Sequence, residues 1–289
     1  MNDLRSELSR RVRDNLRDGA SHLARVALDS LSEYAELDVD DLESLRAELL
    51  DFADELANVR PTMTAIHNLV ARWRLGVAEF DGDLGALRAY ARTQAQQVRT
   101  WADAATDATQ RQVITTLGSR RRLMTHSISS TVARTLLRMP RRDLNVVVTE
   151  SRPAFEGWNL ASSLAQEDIA VTYITDAQMA LFVADVEAVI VGADALLPDG
   201  SLVNKAGTRL LALAAREQGV PFYVCAESFK CTEQSLAEVV LEEKSGSELR
   251  PPPVPGIRTR NIYLEITPAH LITDWLSNEP LGERFRAQS

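Results

Sequence analysis

The run Val191-Gly192-Ala193-Asp194, followed by Asp199-Gly200-Ser201 and then Val203-Asn204-Lys205-Ala206-Gly207-Thr208, gathers an acid, an amide, a cation and a hydroxyl in one short stretch. Gly192 and Ala193 let backbone and ligand approach closely, and Asp194 leaves a strand end as a candidate acid, base or hydroxyl acceptor. Asn204 and Lys205 supply donors, and Gly207-Thr208 opens a helix whose unpaired amides can complete an anion pocket. Two smaller clusters join this one. Met124-Thr125-His126-Ser127-Ile128-Ser129-Ser130 runs off a strand into a helix, where hydroxyls and amides suit a bound anion and equally suit an ordinary N-cap. Glu150-Ser151-Arg152-Pro153 follows another strand and offers Arg152 either to a phosphate or to a neighbouring carboxylate.

Short apolar runs separated by helical stretches must position these clusters. Strands are expected at Arg122–Thr125, Asn145–Thr149, Ala170–Ile174, Ala188–Val191 and Phe222–Cys225, with helices at Ile128–Arg138, Gly157–Glu167, Asp176–Val183 and Gly207–Gln218. That alternation reads as βαβ units and a parallel sheet, which places ligands beyond the carboxyl ends of the strands. Asp199-Gly200 signals a tight turn. The stretch Arg250-Pro-Pro-Pro-Val-Pro-Gly256 excludes regular helix or central strand and reads as a connector. Before Thr109 the spacing is helical, as in Leu23, Val26, Ala27 and Leu31, so a helical bundle is expected there. Asp38 or Asp40 is the expected cap of the helix carrying Leu42, Leu45 and Leu49, Pro61 the expected opening of another, and Gly82–Ala108 a further long helix. The expected division is a helical domain over 1–112 and an α/β domain over 113–289.

Composition narrows the function. A chain of 289 residues with 45% hydrophobic residues supports a large buried core. Its formal net charge of -9 argues against direct nucleic-acid binding through the phosphate backbone. No stretch resembles a secretion signal or a membrane span, so a cytoplasmic location is expected. Cys225 and Cys231 match no common zinc or redox spacing, and His22, His67, His126 and His270 are scattered, so no metal centre is expected. No glycine-rich nucleotide loop of either common type occurs.

The segments VTESRP, VGADALLPDGSLVNKAGT and RNIYLEITPAHLI resemble the core signatures of the family uniting the initiation-factor-2B alpha, beta and delta subunits with ribose-1,5-bisphosphate isomerase and methylthioribose-1-phosphate isomerase. The resemblance is close over about Leu117 to Ile272 and looser in the helical half, where Gly19-Ala20 and Arg60-Pro61-Thr62 carry it. It implies a helical N-terminal domain followed by a Rossmann-like domain, a homodimer or larger homo-oligomer, and a pocket between the domains. It also implies that no metal or organic cofactor is needed. In the isomerases a cysteine of a THC motif and the aspartate of GAD move the protons that turn an aldose phosphate into a ketose. Carried over, Asp194 takes the place of that aspartate, Asn204 and Lys205 match the NK pair, Arg60 matches the arginine of RPT and Gly19-Ala20 align on RGA as ligand or phosphate contacts. Arg152 and Thr208 join them as candidate phosphate contacts from their positions after a strand and at a helix start.

Three positions depart from the isomerase pattern. Ser127 stands in place of the cysteine, and a hydroxyl is a far weaker acid than a thiol, whose reference pKa is about 8.5. Asp18 stands at the arginine of the RGA motif, with Arg17 one residue early, and Glu156-Gly157 replaces QG. Together they favour an initiation-factor-2B-like protein that binds a phosphorylated sugar or nucleotide in a regulatory or translation-related role, with a translation initiation factor as candidate partner. A sugar-phosphate isomerase using Asp194 with Ser127 or a water, and an assembly protein with a vestigial pocket, are the alternatives.

Overall fold

The computed structural model describes residues 2–15, 19–241, 243–252 and 254–286. Helices α1 (Asn2–Arg13), α2 (Ala20–Tyr34), α3 (Leu42–Asn58), α4 (Thr64–Ala78) and α5 (Leu84–Leu117) come first in the chain. Contacts divide the chain into two units, Met1–Ala105 and Thr106–Ser289, so the division falls inside α5. In the first unit, residues three and four apart form buried stripes: Leu23, Ala27 and Leu31 on α2, Leu45, Leu49, Phe52 and Leu56 on α3, and Ile66, Leu69, Val70, Trp73 and Val77 on α4. Trp73 is fully buried and its indole N–H donates to the Ala91 carbonyl at 2.8 Å, so its one polar atom is satisfied. Two expected helix starts shift. Asp41, not Asp38 or Asp40, caps α3 by accepting the Ser44 amide at 2.8 Å, because only Asp41 directly precedes the first helical residue. Pro61 lies in a turn closed by the Met63 amide on the Arg60 carbonyl, 2.9 Å, and α4 begins only at Thr64.

The second unit carries β1 (Arg122–Thr125), α6 (Ser130–Arg138), β2 (Asn145–Thr149), α7 (Glu156–Gln166), β3 (Ala170–Ile174), α8 (Met179–Phe182) and β4 (Ala188–Val191). Then follow β5 (Ala195–Leu196), β6 (Leu202–Lys205), α9 (Thr208–Glu217), β7 (Phe222–Cys225), β8 (Glu243–Lys244), β9 (Asn261–Ile262), β10 (Leu264–Thr267), β11 (Asp274–Leu276) and α10 (Leu281–Arg286). The architecture is therefore mixed α/β, a helical region followed by a parallel sheet. Among the described residues that sheet has six strands in the order β11-β7-β4-β1-β2-β3, every neighbouring pair parallel. Successive residues feed opposite faces: Leu123, Val146, Val148 and Ile190 enter one core cluster, and Met124, Val147, Val189 and Val191 the other. Both faces are covered, which is why the strands read as continuous apolar runs.

From β1 the chain moves outward through β2 to β3, then returns to the other side of β1 to lay down β4 and β7. The order reverses between β1 and β4, and the crevice at such a switch point is where open α/β sheets take ligands. The residues that follow these two strands are Ser127 and Asp194 with their neighbours. A three-stranded antiparallel sheet, β10-β6-β5, continues from the end of β4. Its turn is the expected Asp199-Gly200: the Gly200 amide donates to Leu197 at 2.9 Å and Gly200 takes φ +82. Short strands β8 and β9 pair across the proline-rich connector.

Gly157, in the first turn of α7, lets that helix touch the end of β2, since a Cβ there would lie 1.8 Å from the Thr149 carbonyl oxygen. Gly157→Ala is expected to destabilise the protein by roughly 3 kcal/mol in urea denaturation, the upper part of the overpacking range. Gly219→Ala, at φ +66 with open space around it, should cost only about 1 kcal/mol of backbone strain.

Candidate functional site

His126 follows β1 directly and its side chain is fully buried. Its Nε2 lies 3.0 Å from the Ala206 carbonyl, which can only accept, so Nε2 carries the proton and Nδ1 accepts from the Thr149 hydroxyl at 2.7 Å. The Ser151 hydroxyl, 3.2 Å from Thr149 Oγ1, donates onward to it and accepts the Ser127 amide at 2.8 Å. One directed chain of hydrogen bonds thus runs from the backbone of Ser127 through Ser151, Thr149 and His126 to Ala206. It joins the segments after β1, β2 and β6. Gly207 fits against this ring because a Cβ on it would come within 2.8 Å of Nε2.

Burial pushes the His126 pKa down to about 4, against the pull of Asp176, whose carboxylate is 3.8 Å from Nδ1, and of the Ala206 carbonyl. The imidazole is therefore neutral near pH 7, as its hydrogen bonds require. Asp176 also accepts the amides of Ser151 and Arg152 at 2.9 and 2.8 Å. That carboxylate holds the loop after β2 in its turn, where Ser151 takes φ 60.

Ser127, the residue in the cysteine's place, is buried with φ 65, its amide engaged by Ser151. Two residues later Ser129 caps α6, its hydroxyl accepting the Val132 amide at 3.4 Å. The strand-end glycine of GAD packs on that cap: a Cβ at Gly192 would lie 2.5 Å from Ser129 Oγ. Asp194 is half-buried and its amide donates to the Val203 carbonyl at 2.9 Å, beside Asn204. The fold thus gathers the segments of Ser127, Asp194, Asn204 and Lys205 at the switch point. At the end of β7, the fully buried Glu227 accepts the Thr106 and Thr131 hydroxyls at 2.9 and 2.7 Å and pairs with Lys230 at 3.2 Å. Burial works to raise its pKa, but Lys230 and these hydroxyls outweigh it and hold the carboxyl below its usual range. This pair anchors the first turn of α6 to β7.

The NK pair proves to be more occupied than its sequence suggests. Asn204 donates to the Thr208 hydroxyl at 3.0 Å, and that hydroxyl donates to the Lys205 carbonyl at 2.6 Å, a closed bracket at the start of α9. The Glu265 carboxylate takes the amides of Gly207 and Arg209 at 2.6 and 2.9 Å, so the chain's own anion sits at this helix start. The Lys205 ammonium, only 3% exposed, pairs with Glu156 at 2.9 Å and lies 3.3 Å from the Tyr263 ring centroid. Burial lowers its pKa, Glu156 opposes the shift, and Lys244 adds to it. The Arg152 guanidinium stacks over Phe155 at 4.9 Å and donates to the Leu249 carbonyl at 3.1 Å.

Gly19, Ala20 and Arg60 belong to the first unit. Gly19 precedes α2 in an extended conformation, Ala20 is buried as its first residue, and buried Arg60 donates to the Asn15 carbonyl at 3.3 Å. Arg17 and Asp18 lie outside the described residues. Asp176 and Lys244 carry no motif around them, and sequence reasoning passed them over. Tyr263 and Glu265 lie inside the RNIYLEITPAHLI signature but were given no role, and Glu227-Ser-Phe-Lys230, an acid and a base three apart after a strand, was a further signal that was missed.

Because folding lowers the His126 pKa from 6.5 to about 4, the folded state holds fewer protons than the unfolded state across that window. Its contribution is complete above pH 6.5 and declines as pH falls toward 4, by about 3 kcal/mol in all. Urea denaturation at pH 7, 6 and 5 should show this decline in the native protein and a much flatter profile in His126→Gln.

Comparison with known proteins identifies the family. The description of the initiation factor 2 subunit family matches residues 16–279. The chain is 31% identical over 278 residues to ribose 1,5-bisphosphate isomerase of Archaeoglobus fulgidus, covering 92% of this chain and 85% of that protein. It is 33% identical over 266 residues to a putative translation initiation factor eIF-2B subunit 2-like protein of Pyrococcus horikoshii, covering 91% and 90%. The crystal structure of the Pyrococcus horikoshii OT3 translation initiation factor eIF-2B superposes with a TM-score of 0.82 at 30% identity, over 96% of this chain and 95% of that one. A chain with this switch-point site and these matches belongs to the initiation factor 2 subunit family, whose members include initiation factor subunits and sugar-phosphate isomerases.

Proposed function

We propose that the second unit binds a phosphorylated sugar or nucleotide without isomerising it, in a regulatory, translation-related role. The observation that carries this reading is Ser127: a buried serine stands at the switch point where the isomerases resembling this chain use a thiol. A thiol with a reference pKa of about 8.5 can exchange a proton near neutrality, whereas an alkyl hydroxyl is a much weaker acid. The opening amides of α6 offer positive ends to a phosphate. Asp194 is the acceptor for sugar hydroxyls, and Asn204 and Lys205 complete the donor side. The translation-related part, with assembly into homo-oligomers and an initiation factor as partner, draws on similarity to the Pyrococcus horikoshii factor.

A second reading has its own support. Identity of 31% to the Archaeoglobus isomerase over most of both chains favours retained sugar-phosphate isomerase chemistry. Asp194 would then be the acid and base, with Ser127 or a water replacing the thiol.

Calorimetry and ketose assays with ribose-1,5-bisphosphate and methylthioribose-1-phosphate separate the two. The first reading predicts binding with no ketose formed and affinity about ten-fold weaker or more in Lys205→Ala, equivalent to about 1.4 kcal/mol. Ketose formation that disappears in Asp194→Asn would establish the second reading instead.

A further inference from the structure

We propose that Glu156 determines which part of the ligand meets Lys205: the pair Lys205–Glu156 reads sugar hydroxyls, and phosphate is taken elsewhere in the site. This inference rests on the ligand-binding reading above. The ammonium of Lys205 is already balanced by a carboxylate 2.9 Å away, and both side chains are more than nine-tenths buried. Around them, Lys244 on β8 contributes a second ammonium 3.6 Å from the Tyr263 ring centroid, and Asp176 a second carboxylate whose field reaches Lys205. His126 is neutral. Lys205 thus has a carboxylate at contact distance, and the effects of Lys244 and Asp176 on it oppose one another.

A phosphate approaching Lys205 would meet the Glu156 carboxylate beside it, and the repulsion would offset much of the attraction. A hydroxyl meets no such penalty, because it can donate to a carboxylate and accept from an ammonium at once. Glu156 has an atom suited to this. Its Oε1 is shared by Lys205 and the Tyr263 hydroxyl, while Oε2 is buried with no hydrogen-bond partner among the described residues. A buried acceptor without a partner is costly, and a ligand hydroxyl would satisfy it. Glutamine at this position, as in the isomerase pattern, leaves the lysine's charge unbalanced and suited to phosphate.

The test compares wild-type protein, Glu156→Gln and Glu156→Gln/Lys205→Met by calorimetry, with inorganic phosphate, ribose 5-phosphate and its 2-deoxy and 3-deoxy analogues as probes. Glu156→Gln is expected to bind inorganic phosphate at least ten-fold more tightly than wild type, and the double variant to lose that gain. Wild type is expected to lose ten-fold or more in affinity when one of the two hydroxyls is removed, whether or not the Gln variant folds well. Phosphate affinity unchanged or weakened in a folded Glu156→Gln, or deoxy sugars bound as well as ribose 5-phosphate, would overturn the assignment. Failure of the wild type to bind any sugar phosphate would overturn the ligand-binding reading, while the phosphate arm would still report on Glu156 alone.

Discussion

The arrangement of the site depends on a neutral imidazole. His126 is buried where an imidazolium would be costly, and its two nitrogens are committed in opposite senses, a donor to Ala206 and an acceptor from Thr149. Through that one ring the loops after β1, β2 and β6 keep fixed positions, and the backbone of Ser127 is held by the far end of the same chain. Gly207 lies where a Cβ would strike the ring itself, and Gly157 where one would strike the Thr149 carbonyl at the end of β2. The backbone of Ser127 is therefore held in a hydrogen-bonded frame.

Electrostatics decides what the frame can hold. Lys205, Asn204 and the start of α9 look like three independent anion contacts when read as residue types. In the folded chain each has an internal partner: Glu156 for the ammonium, Thr208 for the amide, Glu265 for the helix start. The chain supplies its own carboxylates at two of the three places. The opening turn of α6 is capped by the neutral Ser129 hydroxyl, braced through Thr131 by the Glu227–Lys230 pair and packed against Gly192. On the proposed reading, phosphate meets the opening turn of α6 and sugar hydroxyls meet Lys205 and Glu156, a division the sequence motifs do not make.

Much of the fold was legible because periodicity reports burial. The five expected strands coincide with β1, β2, β3, β4 and β7, whose apolar runs reflect two covered faces. β11 was missed because Asp274-Trp-Leu276 is short and begins with an acid. The β10-β6-β5 sheet was missed because β5 is only two residues long, β10 only four, and β6 ends in the polar Asn204-Lys205 pair. At the site, GAD and NK were legible as motifs, and Ser127 and Glu156 as departures from one. The partners were not. Lys205 and Glu156 are 49 positions apart, Gly207 and Glu265 are 58 apart, and only the folded topology joins them.

On the proposed reading the site binds its ligand without moving a proton on it. Incubation of the protein with methylthioribose-1-phosphate in deuterium oxide, followed by proton NMR at C2, examines that step even where no ketose accumulates. The C2 proton signal of the bound sugar is expected to persist with no deuterium incorporated. Deuterium at C2, or ketose carrying the transferred hydrogen, that appears with native protein and not with Asp194→Asn would contradict it.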